Sequence, residues 1–287
     1  MESSSVAVVG HPLEAWVLLF SAPLIALLII IELVLSNCEK IRLYSVRETV
    51  TTLFLAMING SFDFILRMVV VLPVLLWAYQ YHFLNWSEKG MLYWFLLFIF
   101  EDCAFYILHC VDHYNRVFWA VHVTHHSSID FNISTGFRSS VFQPLYRTIY
   151  FLPLTLLGFE PLDILLMYAI TQIYGALIHT QKISKLGWLE WILVTPSHHR
   201  VHHASNGIYL DKNMGMCLII WDRLFGTFQK ELVEEPVKYG VTQNIEDRSL
   251  QNMVFHEWKN LWDDIKNSSL PKKEKWKHLW HGPGWKP

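Results

Sequence analysis

Ten of the chain's 15 histidines fall between residues 109 and 203, and they fall in spaced sets. His109 and His113 are four apart, His122, His125 and His126 follow the pattern H-x-x-H-H, His179 stands alone, and His198, His199, His202 and His203 read H-H-x-x-H-H. Positions three or four apart share a face of an α-helix. His109 with His113, and all three members of the second set, are therefore expected to converge from one side of their helices. Neutral imidazole is the commonest protein metal ligand and suits iron, zinc or copper. So many ring nitrogens exceed what one ion coordinates, and two metal ions are the economical expectation. His198 stands just ahead of its set and is expected as a ligand or as a support for one. A lone histidine is more often a hydrogen-bonded core or surface residue. His11, His82, His256, His278 and His281 are assigned to that background.

The rest of the sequence narrows the chemistry. Structural zinc usually recruits cysteine, and Cys38, Cys103, Cys110 and Cys217 form no C-x-x-C pair; they read as small buried apolar residues. H-E-x-x-H is absent, so a zinc protease lacks its general base, and a mononuclear iron triad would leave most of the histidines unused. Histidine-rich two-metal coordination beside lipid points to oxygen activation at a di-iron site. Asp102 lies seven residues before His109, on the same helix face, where a carboxylate is costly in lipid. It is expected to accept the free N–H of a ligating histidine, the alternative being a carboxylate at the water interface, with Glu101 serving the same purpose. Tyr106 lines a channel or sits at the interface. Asn132, Arg138, Asp211 and Asn213 either orient ligands and bind a headgroup or act as caps and turns.

The elements that must carry these residues are apolar. The 287 residues are 53% hydrophobic and only 17% charged, below the roughly 25% charged content of soluble domains. Disordered, collagen-like and disulfide-scaffold classes are excluded, and a net charge of −2 gives no field for nucleic acid. Ala15 to Ile31 carries no charge and is the safest span, with no signal-peptide pattern ahead of it. The basic loop 39–48 should face the cytoplasm and put the N-terminus outside. Residues 49–81 are expected as one crossing, broken around Asn59-Gly60, with Asp63 and Arg67 paired on one face. The helix Met91 to Val111 follows, and Val141 to Phe159 with Pro161 to His179 is expected to form a membrane hairpin turning at Gly158-Phe159-Glu160-Pro161. The predicted fold is all-α: a polytopic integral-membrane bundle of about four to five transmembrane helices under a cytoplasmic helical cap that holds the His-rich dimetal site. Residues 1–111 are the N-terminal membrane helices, 112–230 the catalytic region with the hairpin 141–181, and 231–287 a polar tail. The parity of the spans puts every histidine set on one face.

These boxes resemble those of the fatty acid hydroxylase and sterol desaturase superfamily of membrane di-iron enzymes. From Asp102 onward, about two-thirds of the chain is similar to its alkylglycerol monooxygenase branch. The likeness runs through Asp102-x-x-x-Tyr106-x-x-His109, Phe118-Trp119-Ala120-x-His122-x-x-His125-His126-Ser127-Ser128 and Asn132-x-Ser134-Thr135-x-x-Arg138. It continues through Ile178-His179-Thr180, Thr195-Pro196-Ser197-His198-His199-Arg200-Val201-His202-His203, Asp211-Lys212-Asn213, Ile220-Trp221-Asp222-Arg223 and Gly282-Pro283-Gly284-Trp285. It departs after the two histidines of the first box, at Cys110 and Tyr114. The resemblance implies two iron ions held by His109, His113, His122, His125, His126, His179, His198, His199, His202 and His203. It also implies dioxygen as co-substrate, a bilayer-dissolved lipid as substrate, and electrons from a reduced pterin such as tetrahydrobiopterin or from a redox protein. An O-alkylglycerol would be hydroxylated beside its ether oxygen and fall apart to a fatty aldehyde and a glycerol derivative. The alternatives are a sterol, fatty-acid or other lipid hydroxylase or desaturase, a metal-ion transporter, or a zinc-dependent lipid hydrolase. The membrane would be endoplasmic reticulum in a eukaryote or the inner membrane of a bacterium.

Overall fold

The computed structural model describes residues 11–243 and 245–287. The expectations for the first ten residues, no leader and an outer location, lie outside the described residues. All described elements are helical, and the only β-type pairing among them is two isolated bridges, Leu193 with Leu218 and Ala204 with Tyr239.

Among the described residues three helices are long and apolar enough to cross a membrane: α1 (Pro12–Cys38), α2 (Val46–Tyr79) and α3 (Met91–Tyr114). Pro12 starts α1 where its missing N–H costs nothing, and the His11 side chain caps the first turn. Leu19, Phe20, Leu24, Leu27 and Ile30 stay exposed along α1, as do Phe54, Met57, Phe64 and Ile65 along α2. In water such a surface would be untenable; in a bilayer it is the contact with lipid, and the chain is an integral-membrane protein. Residues 46–79 are one helix, as expected. Its irregularity is a π-helical turn at Arg67–Val71 ahead of Pro73, not a break at Asn59-Gly60. Pro73 cannot supply an N–H to the ladder, and the wider turn absorbs the lost bond. Arg67 pairs with Glu14 of α1, not with Asp63.

The expected hairpin is only half there. Residues 144–156 break into Pro144–Arg147, a 3-10 turn Thr148–Phe151 and Leu152–Leu156, with Pro144 and Pro153 each restarting the helix. Even joined, these pieces would reach about 20 Å, short of a hydrocarbon core of about 30 Å. They pack instead, through Phe151 and Leu154, on Leu97, Leu108 and Ile164. The return arm is α5 (Pro161–Leu177), 17 residues that are mostly buried. The described residues therefore hold three spans by length and composition where four to five were expected, and the turn still delivers His179 beside the other histidines.

Beyond the spans, α4 (Arg116–His126), α6 (Pro196–His202), α7 (Ile220–Phe225) and α8 (Leu250–Asn267) build the cap. Asn115 ends α3 in an extended conformation and caps α4 by accepting from the Val117 N–H, so the two helices form a tight αα-corner. α8 is far from a loose tail: Met253, Val254 and Leu261 are buried, and Glu257 holds Arg116 of α4 at 3.0 Å. Of the cysteines, Cys217 is buried, Cys103 and Cys110 are half-buried and Cys38 is exposed.

Gly158 sits at the turn into α5 with φ +83°, and a Cβ there would lie 2.1 Å from the Leu84 carbonyl oxygen. Gly158→Ala should destabilise the folded state by at least about 2 kcal/mol, seen as a lower thermal midpoint in detergent. An unchanged midpoint would mean that the 83–86 loop does not pack there.

Candidate metal centre

Nine histidines converge in two adjacent groups. His109, His113, His122, His126 and His202 form one, and His125, His179, His199 and His203 the other; within each group one ligand atom per ring lies within 4.8 Å of all the others. Helix geometry divides the sets. Residues four apart project about 40° from each other and neighbours about 100°. The i, i+4 pairs His109/His113 and His122/His126 therefore enter the first group, and His199/His203 the second. The odd member of each box crosses over: His125 leaves its neighbours for the second group, and His202 leaves its neighbours for the first. His122, His125 and His126, expected to converge from one side of their helix, are divided between the two groups. The groups touch where His126 stacks on His203, ring centroids 4.5 Å apart.

The ring nitrogens show what the groups are suited to hold. The Nδ1 atoms of His109, His125, His179 and His202 lie 2.7, 2.8, 2.7 and 3.0 Å from the carbonyl oxygens of Met214, Arg138, Gly175 and Lys212. A carbonyl only accepts, so Nδ1 carries the proton and Nε2 is a bare lone pair. The bare Nε2 atoms of His125 and His179 then face one another at 3.4 Å with no proton to share. The Nε2 atoms of His113 and His202 are buried with no hydrogen-bond partner. Burial forbids charging the rings instead: desolvation pushes His125 down to about 4 and His122, His126, His179, His199, His202 and His203 well below the ordinary imidazole value. Converging lone pairs in a dry site are stabilised by cations, and the donor set fits two transition-metal ions.

His198 stands outside both groups. Its Nδ1 accepts from the Thr195 N–H at 3.3 Å, closing a capping box at the start of α6, and its Nε2 lies 4.0 Å from Glu190. Of the two roles expected for it, ligand or support for one, this geometry leaves it out of both groups: as the third residue of the helix it is used to satisfy the helix end.

Asp102 also has a different place from the one expected. It is fully buried but touches no histidine; its carboxylate accepts from the Cys217 and Leu218 N–H groups at 2.8 and 3.1 Å and from Trp221 Nε1 at 2.9 Å. Together with Asp222, which accepts from the Met214 and Gly215 N–H groups, it clamps the loop whose Met214 carbonyl accepts the hydrogen bond from His109 Nδ1–H. Asp102 thus positions His109 one step removed. Glu101 bonds Thr171. The carboxylates near the rings are Asp211, 3.1 Å from His113 Nδ1, and Asp112, 3.6 Å from His122 Nδ1 and held by the Tyr146 hydroxyl. Asp112 escaped notice in the sequence although an acid between His109 and His113 in an apolar helix is the kind of signal that marks function.

The remaining candidates divide between support and local structure. Arg138 has no exposure; it offers its carbonyl to His125 while its guanidinium bonds the Thr124 carbonyl, Ser127 Oγ and Glu48. Glu48 in turn takes Arg248, which ties the first turn of α2 to the cap. Asn132 caps the 3-10 turn that follows it and bonds the Leu43 carbonyl. Asn213 takes a left-handed conformation, φ +55°, and holds the His198 and Gln229 carbonyls. Tyr106 bonds Thr227 and stacks on Phe225. The five background histidines lie outside both groups. Glu32, buried in α1, was also missed: it accepts from the Tyr44 and Thr180 hydroxyls and the Ile133 N–H, anchoring the chain on both sides of the second group.

Paired histidine groups at the end of lipid-facing helices define a class of membrane metalloprotein, and residues 94–227, which contain all nine rings, match the Fatty acid hydroxylase family model. Residues 94–227 thus match that family's domain. Curated relatives of the chain include the alkylglycerol monooxygenases of Xenopus tropicalis, 33% identical over 91% of this chain and 58% of the relative, and of Homo sapiens, 40% identical over 68% and 43%. An ornithine lipid hydroxylase of Rhizobium tropici is 30% identical over 58% of this chain and 52% of the relative. The chain spans about half the length of the curated relatives it matches. No solved structure matches it.

Two outcomes follow from the geometry. His125→Ala should lose about half of the bound metal by elemental analysis, whereas His198→Ala should keep it; equal losses would sink the division made above. Stripped of metal, the protein should also lose stability as pH falls from about 6.5 toward 4, because unfolded histidines bind protons that His125, at about 4 when folded, refuses. Thermal midpoints of chelator-treated protein at pH 7 and pH 5 measure this, with the lower midpoint expected at pH 5.

Proposed function

We propose that the chain is an integral-membrane lipid monooxygenase whose nine converging histidines hold two iron ions, and that its substrate is an O-alkylglycerol ether lipid. The observation that carries this reading is a cavity of about 260 Å³ that runs from His122, His125 and His199 to Ala56, Asn59 and Gly60 of the lipid-facing α2. A chain dissolved in the bilayer reaches the metal groups through it without crossing water. Buried at its wall are the Gln172 amide nitrogen and the Arg147 Nε, neither with a partner. Unpaired donors favour a substrate with an ether or hydroxyl oxygen over a plain hydrocarbon, since each is costly until it is bonded.

When bound, the irons supply activation of dioxygen for insertion of one oxygen atom into a C–H bond. The protein's part is to hold the rings in one tautomer through the Met214, Arg138, Gly175 and Lys212 carbonyls, to keep water out with Phe105 and Met216, and to aim the substrate carbon with Gln172 and Arg147. Ligated imidazoles have no free lone pair and are not the acid or base. Hydroxylation beside the ether oxygen leaves a hemiacetal that breaks down to a fatty aldehyde and a glycerol derivative. Electrons come from a reduced pterin or a redox protein. The basic loop 39–48 is tied to the histidine side, where Lys182 meets Glu39 at 2.6 Å, which supports a metal centre facing the cytoplasm.

A sterol, fatty-acid or other lipid hydroxylase or desaturase is the second reading, favoured by 26% identity over 52% of the chain to the Delta(7)-sterol 5(6)-desaturase of Candida glabrata. Membranes expressing the chain, given ether lipid, sterol and fatty acid under labelled dioxygen with a reduced pterin, should release labelled aldehyde or its hydrate only from ether lipid. Labelled or unsaturated sterol instead would transfer the assignment to the second reading. A Cβ at Gly60 meets nothing within 4 Å, so Gly60→Phe should fold and keep its iron while turnover falls at least tenfold. Full activity in that variant would exclude this cavity as the substrate's path.

A further inference from the structure

The side chains of α8 divide into three sectors. With successive residues about 100° apart, Met253, Val254, Glu257 and Leu261 share the face that is buried against the cap. Asn260, Asp263 and Asp264 fall on the next sector and line a cavity of about 680 Å³ beside Trp119. The third sector is aromatic: it carries Phe255, Trp258 and Trp262, and Phe255 and Trp262 keep 47% and 66% of their surface exposed. Lys259 and Lys266, seven residues apart and both exposed, run along its outer edge.

Beside the third sector lies a groove of about 340 Å³ between α4, α8 and the start of the broken segment 144–156. Phe118 and Val121, Phe142 and Leu145, and Phe255 and Trp258 line it, and no charged side chain does. Its one phenol, Tyr146, turns its hydroxyl away to Asp112 at 2.7 Å. Phe142 meets the Phe255 and Trp258 rings at 5.8 and 6.2 Å. Two contacts fix the height of this groove relative to the bilayer. Arg248, just ahead of α8, pairs at 2.7 Å with Glu48 in the first turn of α2, and the Asn59 amide, further along α2, donates to the Ser140 carbonyl at 2.6 Å. Exposed Leu145 and Ile149 extend the apolar surface along the broken segment. The patch is therefore continuous with the lipid-facing surface of α2 and bordered by cations. Aromatic rings at headgroup level, with lysine stems that cover apolar surface while their ammonium groups reach phosphate, characterise a helix lying in the membrane interface.

We propose that α8 lies in the plane of the membrane surface and that the groove beside it holds an acyl chain of an anionic phospholipid, whose headgroup pairs with Lys259 and Lys266. This lipid is a bound neighbour of the protein and not its substrate, because the groove shares no residue with the cavity that joins α2 to the histidines. One side of the cap is thereby immersed, and its opposite side, with Asp263 and Asp264, faces away from the anionic surface. The inference rests on the membrane character of the chain and is independent of the reaction it catalyses.

Photocrosslinking of the metal-loaded full chain, reconstituted in vesicles with phosphatidylcholine in excess over phosphatidylglycerol, tests this directly. The photoreactive residue p-benzoylphenylalanine placed at Phe255 or at Trp262, two exposed aromatic positions, should form phospholipid adducts visible by mass spectrometry. The same probe at Asp263 should form at most a tenth as many. Retained iron shows that each variant is folded, and either aromatic position reads the surface should the other fail. Adducts at Phe255 should be enriched at least fivefold in phosphatidylglycerol over the vesicle composition, and Lys259→Gln with Lys266→Gln should return them to that composition. Crosslinked dimers at Phe255 or Trp262 would assign the sector to a second copy of the chain and overturn the proposal. So would equal lipid yields at Asp263, adducts without enrichment, or enrichment that survives the loss of both lysines.

Discussion

The rest of the structure answers to one electrostatic constraint: nine imidazoles are packed with their ring nitrogens converging, in an interior whose burial disfavours protonation of His122, His125, His126, His179, His199, His202 and His203. Lone pairs 3 to 3.5 Å apart repel unless something positive lies between them. The protein resists that repulsion from behind, fixing four Nδ1–H groups on backbone carbonyls so that the rings cannot turn away. Those carbonyls sit on segments that are themselves pinned. Asp102 and Asp222 clamp the loop that bears Met214, and the buried Arg138 carries the carbonyl for His125 within its own ion-paired network with Glu48.

This arrangement places structural charges where a membrane protein can least tolerate them unpaired. Glu14 with Arg67, Glu32 with its two hydroxyls and Glu48 with two arginines each lie on an apolar spanning helix, and each reaches a different element. Breaking one partner of such a buried set costs more than the pair contributes, because the other charge stays desolvated. The lipid-facing helices are thereby locked to the cap in one register, and the metal groups inherit that register.

The two cavities divide the molecule by solvent. One runs from the metal groups toward α2 and the bilayer, and the other opens in the polar cap behind Trp119.

Much of this was legible in the residues. The helical period makes i, i+4 histidines neighbours wherever they occur, so eight of the nine histidines that converge were candidates by spacing, with His179 a lone one, and apolar runs long enough to cross a bilayer declare themselves by length. What spacing does not contain is the partner across space. His198 has a ligand's spacing, but α6 begins at Thr195 and uses that ring to close its first turn. Asp102 has a second ligand's face, but the loop at Cys217 and Leu218, more than a hundred residues away, claims its oxygens first. The division of His122, His125 and His126 between two groups was likewise out of reach, because which 40° or 100° step counts depends on what α3, α5 and α6 bring to the other side. Local periodicity determined which residues are available; the competition of distant groups for each lone pair and each buried N–H decided which of them meet.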